Sequence, residues 1–98
     1  MANSTMVASD SLMAQTSDLA PVTIYTPSAS GLFRLSFYRS QQDGTVSVLA
    51  SWQDDFGPQS TSTSGVIQAV AGQPVTLAAT VLTGTPEYNL YYSLEQLA

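Results

Sequence analysis

The feature that most constrains this chain is a period-two alternation of apolar residues that begins at Leu32 and returns in successive segments to the C-terminus. In Leu32 to Arg39, Phe33, Leu35 and Phe37 fall on one side of an extended backbone, and Leu32, Arg34, Ser36 and Tyr38 fall on the other. Successive side chains of a strand point to opposite faces, so the pattern predicts a strand with one face in a core. Thr45 to Gln53 repeats it with Val46, Val48, Ala50 and Trp52, and Val75 to Leu82 with Val75, Leu77, Ala79 and Val81. Tyr88 to Leu94 repeats it with Tyr88, Leu90, Tyr92 and Leu94, while Val22 to Tyr25 and Val66 to Val70 are shorter β-branched runs.

Breakers separate these runs. Thr26-Pro27-Ser28-Ala29-Ser30-Gly31, Asp54-Asp55-Phe56-Gly57-Pro58, Ala71-Gly72-Gln73-Pro74 and Thr83-Gly84-Thr85-Pro86 all carry turn composition. Asp43-Gly44 is the dipeptide favoured in tight hairpins, and it predicts that Leu32 to Arg39 and Thr45 to Gln53 are antiparallel neighbours. Ser60 to Ser64 has threonines but almost no apolar face, so it is expected as an edge strand or a surface loop. About seven or eight strands follow, with turns at roughly ten-residue spacing. The expected fold is all-β: a compact antiparallel jelly roll or β-sandwich over residues 21–98. Residues 1–20, rich in Ala, Ser, Thr and Met, are expected to form a short extended N-terminal arm or to be disordered.

The chemistry the chain can offer is narrow. Among its 98 residues there is no cysteine and no histidine, and its two basic residues are Arg34 and Arg39, so there is no lysine either. Disulfides and the usual zinc ligands are excluded, as are a histidine general base, a cysteine nucleophile and a lysine Schiff base. The serines have no activating partner, so the chain is expected not to be an enzyme. Two cations against seven acids, a net charge of −5, exclude the clustered positive footprint that nucleic acid requires, and an anionic membrane surface is disfavoured for the same reason. Residues 1–20 carry neither a positive n-region nor an apolar run of signal-peptide length, and no segment approaches the ~20 apolar residues of a spanning helix.

Charged residues are only 9% of the chain, against about 25% in an average soluble domain. Ser, Thr, Gln and Asn supply the remaining polarity, and such neutral groups are buried at a subunit contact at less cost than Lys or Glu. A domain of this size has a marginal core of its own, and with no disulfide or metal available oligomerisation is the remaining reinforcement.

Three stretches together resemble phage structural proteins and the trimeric jelly rolls of C1q and tumour-necrosis-factor type. They are Tyr25-Thr26-Pro27 with Gly31-Leu32-Phe33-Arg34-Leu35-Ser36, then Trp52-Gln53-Asp54-Asp55-Phe56-Gly57, then Thr83-Gly84-Thr85-Pro86-Glu87-Tyr88-Asn89-Leu90 with Leu94-Glu95-Gln96-Leu97. The resemblance covers Pro21 to Leu97, and the chain is shorter than the C1q-like domains, which implies trimmed strands or loops. A compact domain with a short N-terminal arm is similar, among phage proteins, to a capsid decoration (cement) protein. That resemblance implies a homotrimer on the outer capsid surface of the virion, assembled in the host cytoplasm, with the phage major capsid protein as partner. No cofactor is expected, and on the charge balance neither nucleic acid nor a membrane is expected as a partner. The competing expectation is a phage fibre-head or receptor-binding domain that recognises a host-surface carbohydrate.

Within this reading the candidate subunit interface is Arg34, Tyr38, Tyr88, Tyr91, Tyr92 and Glu95. Arg34 and Glu95 lie on strand faces opposite the core positions and are expected to pair across strands or subunits. Tyrosine rings bury much area at low entropic cost while the hydroxyl keeps a hydrogen bond. The plain alternatives are an exposed ion pair of about 0 to 1 kcal/mol and ordinary sheet packing of the tyrosines. Met6, Val7, Leu12, Met13 and Leu19 are the candidate capsid-binding residues of the arm. Asp54 and Asp55 are adjacent acids on a turn, and calcium needs several further oxygen ligands, so turn formation and backbone capping are the expected role.

Overall fold

The computed structural model describes residues 5–97, and within them the chain is all-β and antiparallel. Six strands occur in the order β1 (Thr5–Gln15), β2 (Leu19–Tyr25), β3 (Gly31–Asp54), β4 (Gly57–Thr61), β5 (Gly65–Ala69) and β6 (Val75–Gln96). The architecture is built on β3 and β6, which pair with each other from Phe33↔Gln96 to Ser51↔Thr76. A straight 24-residue strand would reach about 79 Å, yet the longest dimension of the molecule is 45 Å. Both long strands must therefore bend, and they do so together, where register irregularities fall between Gln42 and Val46.

The bend divides the sheet into two halves. In the first, the order is β1, the C-terminal half of β6, the N-terminal half of β3, then β5. In the second it is β2, the N-terminal half of β6, the C-terminal half of β3, then β4. The halves fold over a common core in which Phe33, Leu35, Ile67, Leu90 and Leu94 from the first meet Val46, Val48, Val75, Leu77 and Ala79 from the second. Removing a Leu or Phe side chain of this kind from water contributes about 1.5–3 kcal/mol. The inward positions are those the alternation predicts. They change from odd to even along β3 and from odd to even along β6, because the irregularities at the bend change the strand parity there.

Two expected turns are therefore bends within strands. Asp43-Gly44 does not close a hairpin: Leu32 to Arg39 and Thr45 to Gln53 belong to one strand and do not pair with each other. Thr83-Gly84-Thr85-Pro86 likewise lies inside β6. The positive φ of Asp43 (62°) and Gly84 (74°) bends the strands without reversing them. Arg39 and Gln41 brace the bend, the guanidinium donating to the Val46 carbonyl and the Gln41 amide oxygen accepting from the Val46 N–H at 2.9 Å. Merging these two pairs reduces seven expected strands to five, and β1, expected as an arm, makes the sixth.

The N-terminal segment also differs from an arm. Residues 1–4 lie outside the described residues, as does residue 98 at the other end of the expected sandwich domain. Thr5–Gln15 is strand β1, paired with β6 from Thr5↔Gln96 to Gln15↔Tyr88, and Leu19 opens β2. The connection between β1 and β2 is tied to the bend of β6 by polar contacts: Tyr88 Oη donates to the Ser17 carbonyl at 2.6 Å, Asp18 Oδ1 accepts from the Val81 N–H at 2.7 Å, and Asn89 Oδ1 accepts from the Ala14 N–H at 2.7 Å. Serines and threonines hid this strand from a hydrophobicity reading, since only Val7, Ala8 and Leu12 reach the core.

Candidate functional site

The outer face of the first half-sheet is a set of cross-strand rows fixed by register. One row runs Met6, Glu95, Arg34, Val66 across β1, β6, β3 and β5, the next Ser9, Ser93, Ser36, and the next Ser11, Tyr91, Tyr38. Leu32 lies on the same face two positions before Arg34. Met6, Leu32, Tyr38, Val66 and Tyr91 are all substantially exposed there. The face thus combines apolar groups and hydroxyls with a single ion pair.

That pair joins Arg34 Nη1 to Glu95 Oε1 at 3.0 Å, with side chains 55% and 27% exposed. Exposed pairs of this kind are worth about 0–1 kcal/mol, so it sets side-chain geometry more than stability. Tyr38 and Tyr91 face each other in register with ring centroids 6.2 Å apart and an interplanar angle of 30°. This distance lies in the favourable range for aromatic pairs. Beside them is an open depression of about 270 Å³ lined by Ser36, Phe37, Tyr38, Ser64, Tyr91, Tyr92 and Ser93, of which Phe37 and Tyr92 turn their rings toward the core. Ser64 holds its position through two bonds to the Phe37 backbone, accepting from the N–H at 3.0 Å and donating to the carbonyl at 3.3 Å.

The structure brings Arg34, Tyr38, Tyr91 and Glu95 together and sends Tyr88 and Tyr92 the other way. Tyr88 is fully buried in the core, where its hydroxyl anchors Ser17, so it is not available to a subunit contact. Tyr92 is half-buried and pairs with Phe37 on one side and Asp10 on the other. Burial raises the phenol pKa of both, with a smaller push from the carboxylate of Asp18 on Tyr88 and of Asp10 on Tyr92. Both therefore remain neutral hydrogen-bonding groups through the physiological range. Of the candidate arm residues, Met6 and Met13 are exposed, whereas Val7, Leu12 and Leu19 pack against the core. A side chain already spent on the core has little left for a second partner.

Asp54 and Asp55 form the tip of the β3–β4 hairpin, which closes at Asp54↔Gly57. Asp54 Oδ1 accepts from the Phe56 N–H at 2.8 Å, and Gln68 of β5 holds Asp55 twice, accepting from its N–H at 2.9 Å and donating to its carboxylate at 3.3 Å. Both acids are thus engaged in shaping the turn, and among the described residues no three His, Cys, Asp or Glu side chains gather as a metal site. What the sequence reading missed is Phe56, which the braced tip holds 94% exposed. An aromatic residue between Asp55 and Gly57, inside a turn too tight to bury it, is the signal that would have found it.

A second, polar depression of about 260 Å³ lies at the outside of the bend, lined by Ser40, Gln41, Gln42, Glu87 and Asn89. Gln42 Nε2 donates to Glu87 Oε1 across it at 3.0 Å, which uses the one charge it contains. Comparison with family models, with curated proteins and with solved structures finds no match to this chain.

Proposed function

We propose that this chain is a non-enzymatic structural protein of a phage virion, a homotrimer that binds the outer surface of the head and bridges neighbouring capsid subunits. The observation that carries the reading is the outer face of the first half-sheet. Its exposed Met6, Leu32, Tyr38, Val66 and Tyr91 sit among serines, and its single cation and single anion neutralise each other. On a chain of net charge −5, a neutral apolar face is where another protein surface approaches without like-charge repulsion. The resemblance of Pro21 to Leu97 to phage structural domains supplies the phage context, and the all-β fold is compatible with it. The role given to an N-terminal arm passes to the outward side chains of β1, Met6 and Met13.

The test is cosedimentation with expanded, undecorated phage heads, followed by heating. The reading expects saturable binding and heads that release their DNA at a higher temperature. Heads that neither bind the protein nor gain resistance would end it. The second reading, a receptor-binding domain, draws on the tyrosine rings and serine hydroxyls of the 270 Å³ depression, a chemistry suited to stacking on a sugar ring. Glycan-array binding with no attachment to heads would favour it instead.

A further inference from the structure

We infer that copies of this chain associate head to tail, with Phe56 of one copy seated in the depression beside Tyr38 and Tyr91 of the next. The inference rests on the self-association in the proposed function and names the surfaces that carry it.

The first argument is the state of Phe56. A phenyl ring 94% exposed costs solvation free energy, and the tip that carries it is held rigid by Asp54 and by the two bonds from Gln68. A rigid exposed aromatic loses little entropy on docking, which is the condition for an interface anchor.

The second argument is the shape of the receiving surface. The depression of about 270 Å³ is open to solvent and is large enough for one phenyl group to lie beside the paired rings of Tyr38 and Tyr91. The tip cannot reach its own depression. Gln68, which holds the tip, pairs with Leu32, and Phe37 lies five residues farther along β3, a separation of about 17 Å. Phe56 can therefore reach such a depression only on a second molecule.

The third argument is charge. Two carboxylates, Asp54 and Asp55, flank the plug. Arg39 lies beside the depression, lining with Phe37, Tyr38, Val48 and Ser62 an adjoining hollow of about 210 Å³. The Arg39 guanidinium, which also donates to the Val46 carbonyl, has no carboxylate among the described residues within 4 Å. An acidic plug and a basic-edged socket are complementary between copies, and the net charge of −5 opposes most other approaches. Plug and socket are different surfaces, so the contact is heterologous, and the proposed trimer requires that three such contacts close into a ring.

The experiment measures solution mass by light scattering for the wild type, Phe56→Ser, Tyr38→Asp and an equimolar mixture of the two variants. Circular dichroism and thermal unfolding establish that both variants fold, as expected for exposed positions. The expected result is that each variant alone is a monomer, because each lacks one half of every contact. Their mixture should form dimers and nothing larger, since only the Tyr38→Asp plug and the Phe56→Ser socket remain compatible. A folded Phe56→Ser protein that keeps the wild-type oligomer mass would overturn the head-to-tail contact while leaving self-association standing. A wild type that is monomeric at every concentration would overturn the contact and the trimer together. Head binding by such a monomer would still leave the capsid reading in place.

Discussion

Gly44 stands directly opposite Gly84 where β3 and β6 bend, and the backbone of each strand occupies the space a side chain of the other would need. A Cβ on Gly44 would lie 2.4 Å from the Thr83 carbonyl oxygen, and a Cβ on Gly84 would lie 2.7 Å from that of Asp43. Backbone atoms cannot rotate away as the end of a flexible side chain can. Gly84 also has a φ of 74°, in the left-handed region that disfavours other residues. The pair lets two long strands fold over a core instead of forming one flat ribbon with both faces in water.

Gly44→Ala and Gly84→Ala are therefore expected to destabilise the domain by at least about 2–3 kcal/mol each, through overpacking. Gly65→Ala, with open space around it and no positive φ, is expected to change stability by less than about 0.5 kcal/mol. Urea midpoints of the three variants provide the comparison. Equal midpoints would remove the close approach as the reason for glycine at the bend.

Tyr88 and Tyr92 set the alkaline limit of the fold. Burial raises the pKa of both in the native state, so the unfolded chain releases their protons near pH 10 while the native chain keeps them. Unfolding then releases protons, and stability is full below about pH 10 and falls as pH rises toward the native pKa values. Urea midpoints taken from pH 8 to pH 11 should drop above pH 10 and drop less steeply in the Tyr92→Phe variant. A flat profile would contradict the burial argument.

Removing one atom from Tyr88 probes the anchor of the β1–β2 connection. Tyr88→Phe deletes the bond to the Ser17 carbonyl, at an expected cost of about 1 kcal/mol, and up to about 3 if that carbonyl is left without a partner. Hydrogen exchange should speed up in β1 and at residues 16–18 more than in β4. Uniform protection changes would mean that the tyrosine acts only by filling space.

Trp52 carries a buried donor, Nε1, with no hydrogen-bond partner, while its ring packs against the core. Trp52→Phe removes the unpaired donor, whose desolvation costs about 1–3 kcal/mol, and keeps an aromatic ring. It is expected to stay within about 1 kcal/mol of the wild type. Trp52→Ala keeps no ring and is expected to lose about 3–5 kcal/mol. Thermal unfolding of the two variants separates the effects, and equal losses would show that the indole nitrogen is satisfied in solution.

The inward set, from Phe33 to Leu94, was legible from alternation, since a period of two assigns a face to each residue whatever its strand pairs with. Pairing was not legible. Asp43-Gly44 and Thr83-Gly84 carry turn composition, but the same left-handed dihedrals that close a hairpin also bend a strand that continues. Which of the two occurs depends on the two glycines meeting across the sheet. Arg34 and Glu95 were separable from the core by parity, and their 3.0 Å contact follows from the register of β3 with β6. Tyr88 was misplaced as an interface residue although its parity already put it beside Leu90 and Leu94. β1 was missed because Ser9, Ser11 and Asp10 dilute its apolar residues, and its place depends on the free edge that β6 offers.

The most direct test of the account is the solution mass of the unmodified chain, measured by light scattering over a dilution series at physiological salt. The account predicts a species of three chains that persists on dilution, held by the Phe56 tip of each copy against the Tyr38 and Tyr91 face of the next. A single-chain mass at every concentration would contradict it, leaving Met6, Leu32, Tyr38, Val66 and Tyr91 as ordinary exposed residues of a monomeric β-sandwich.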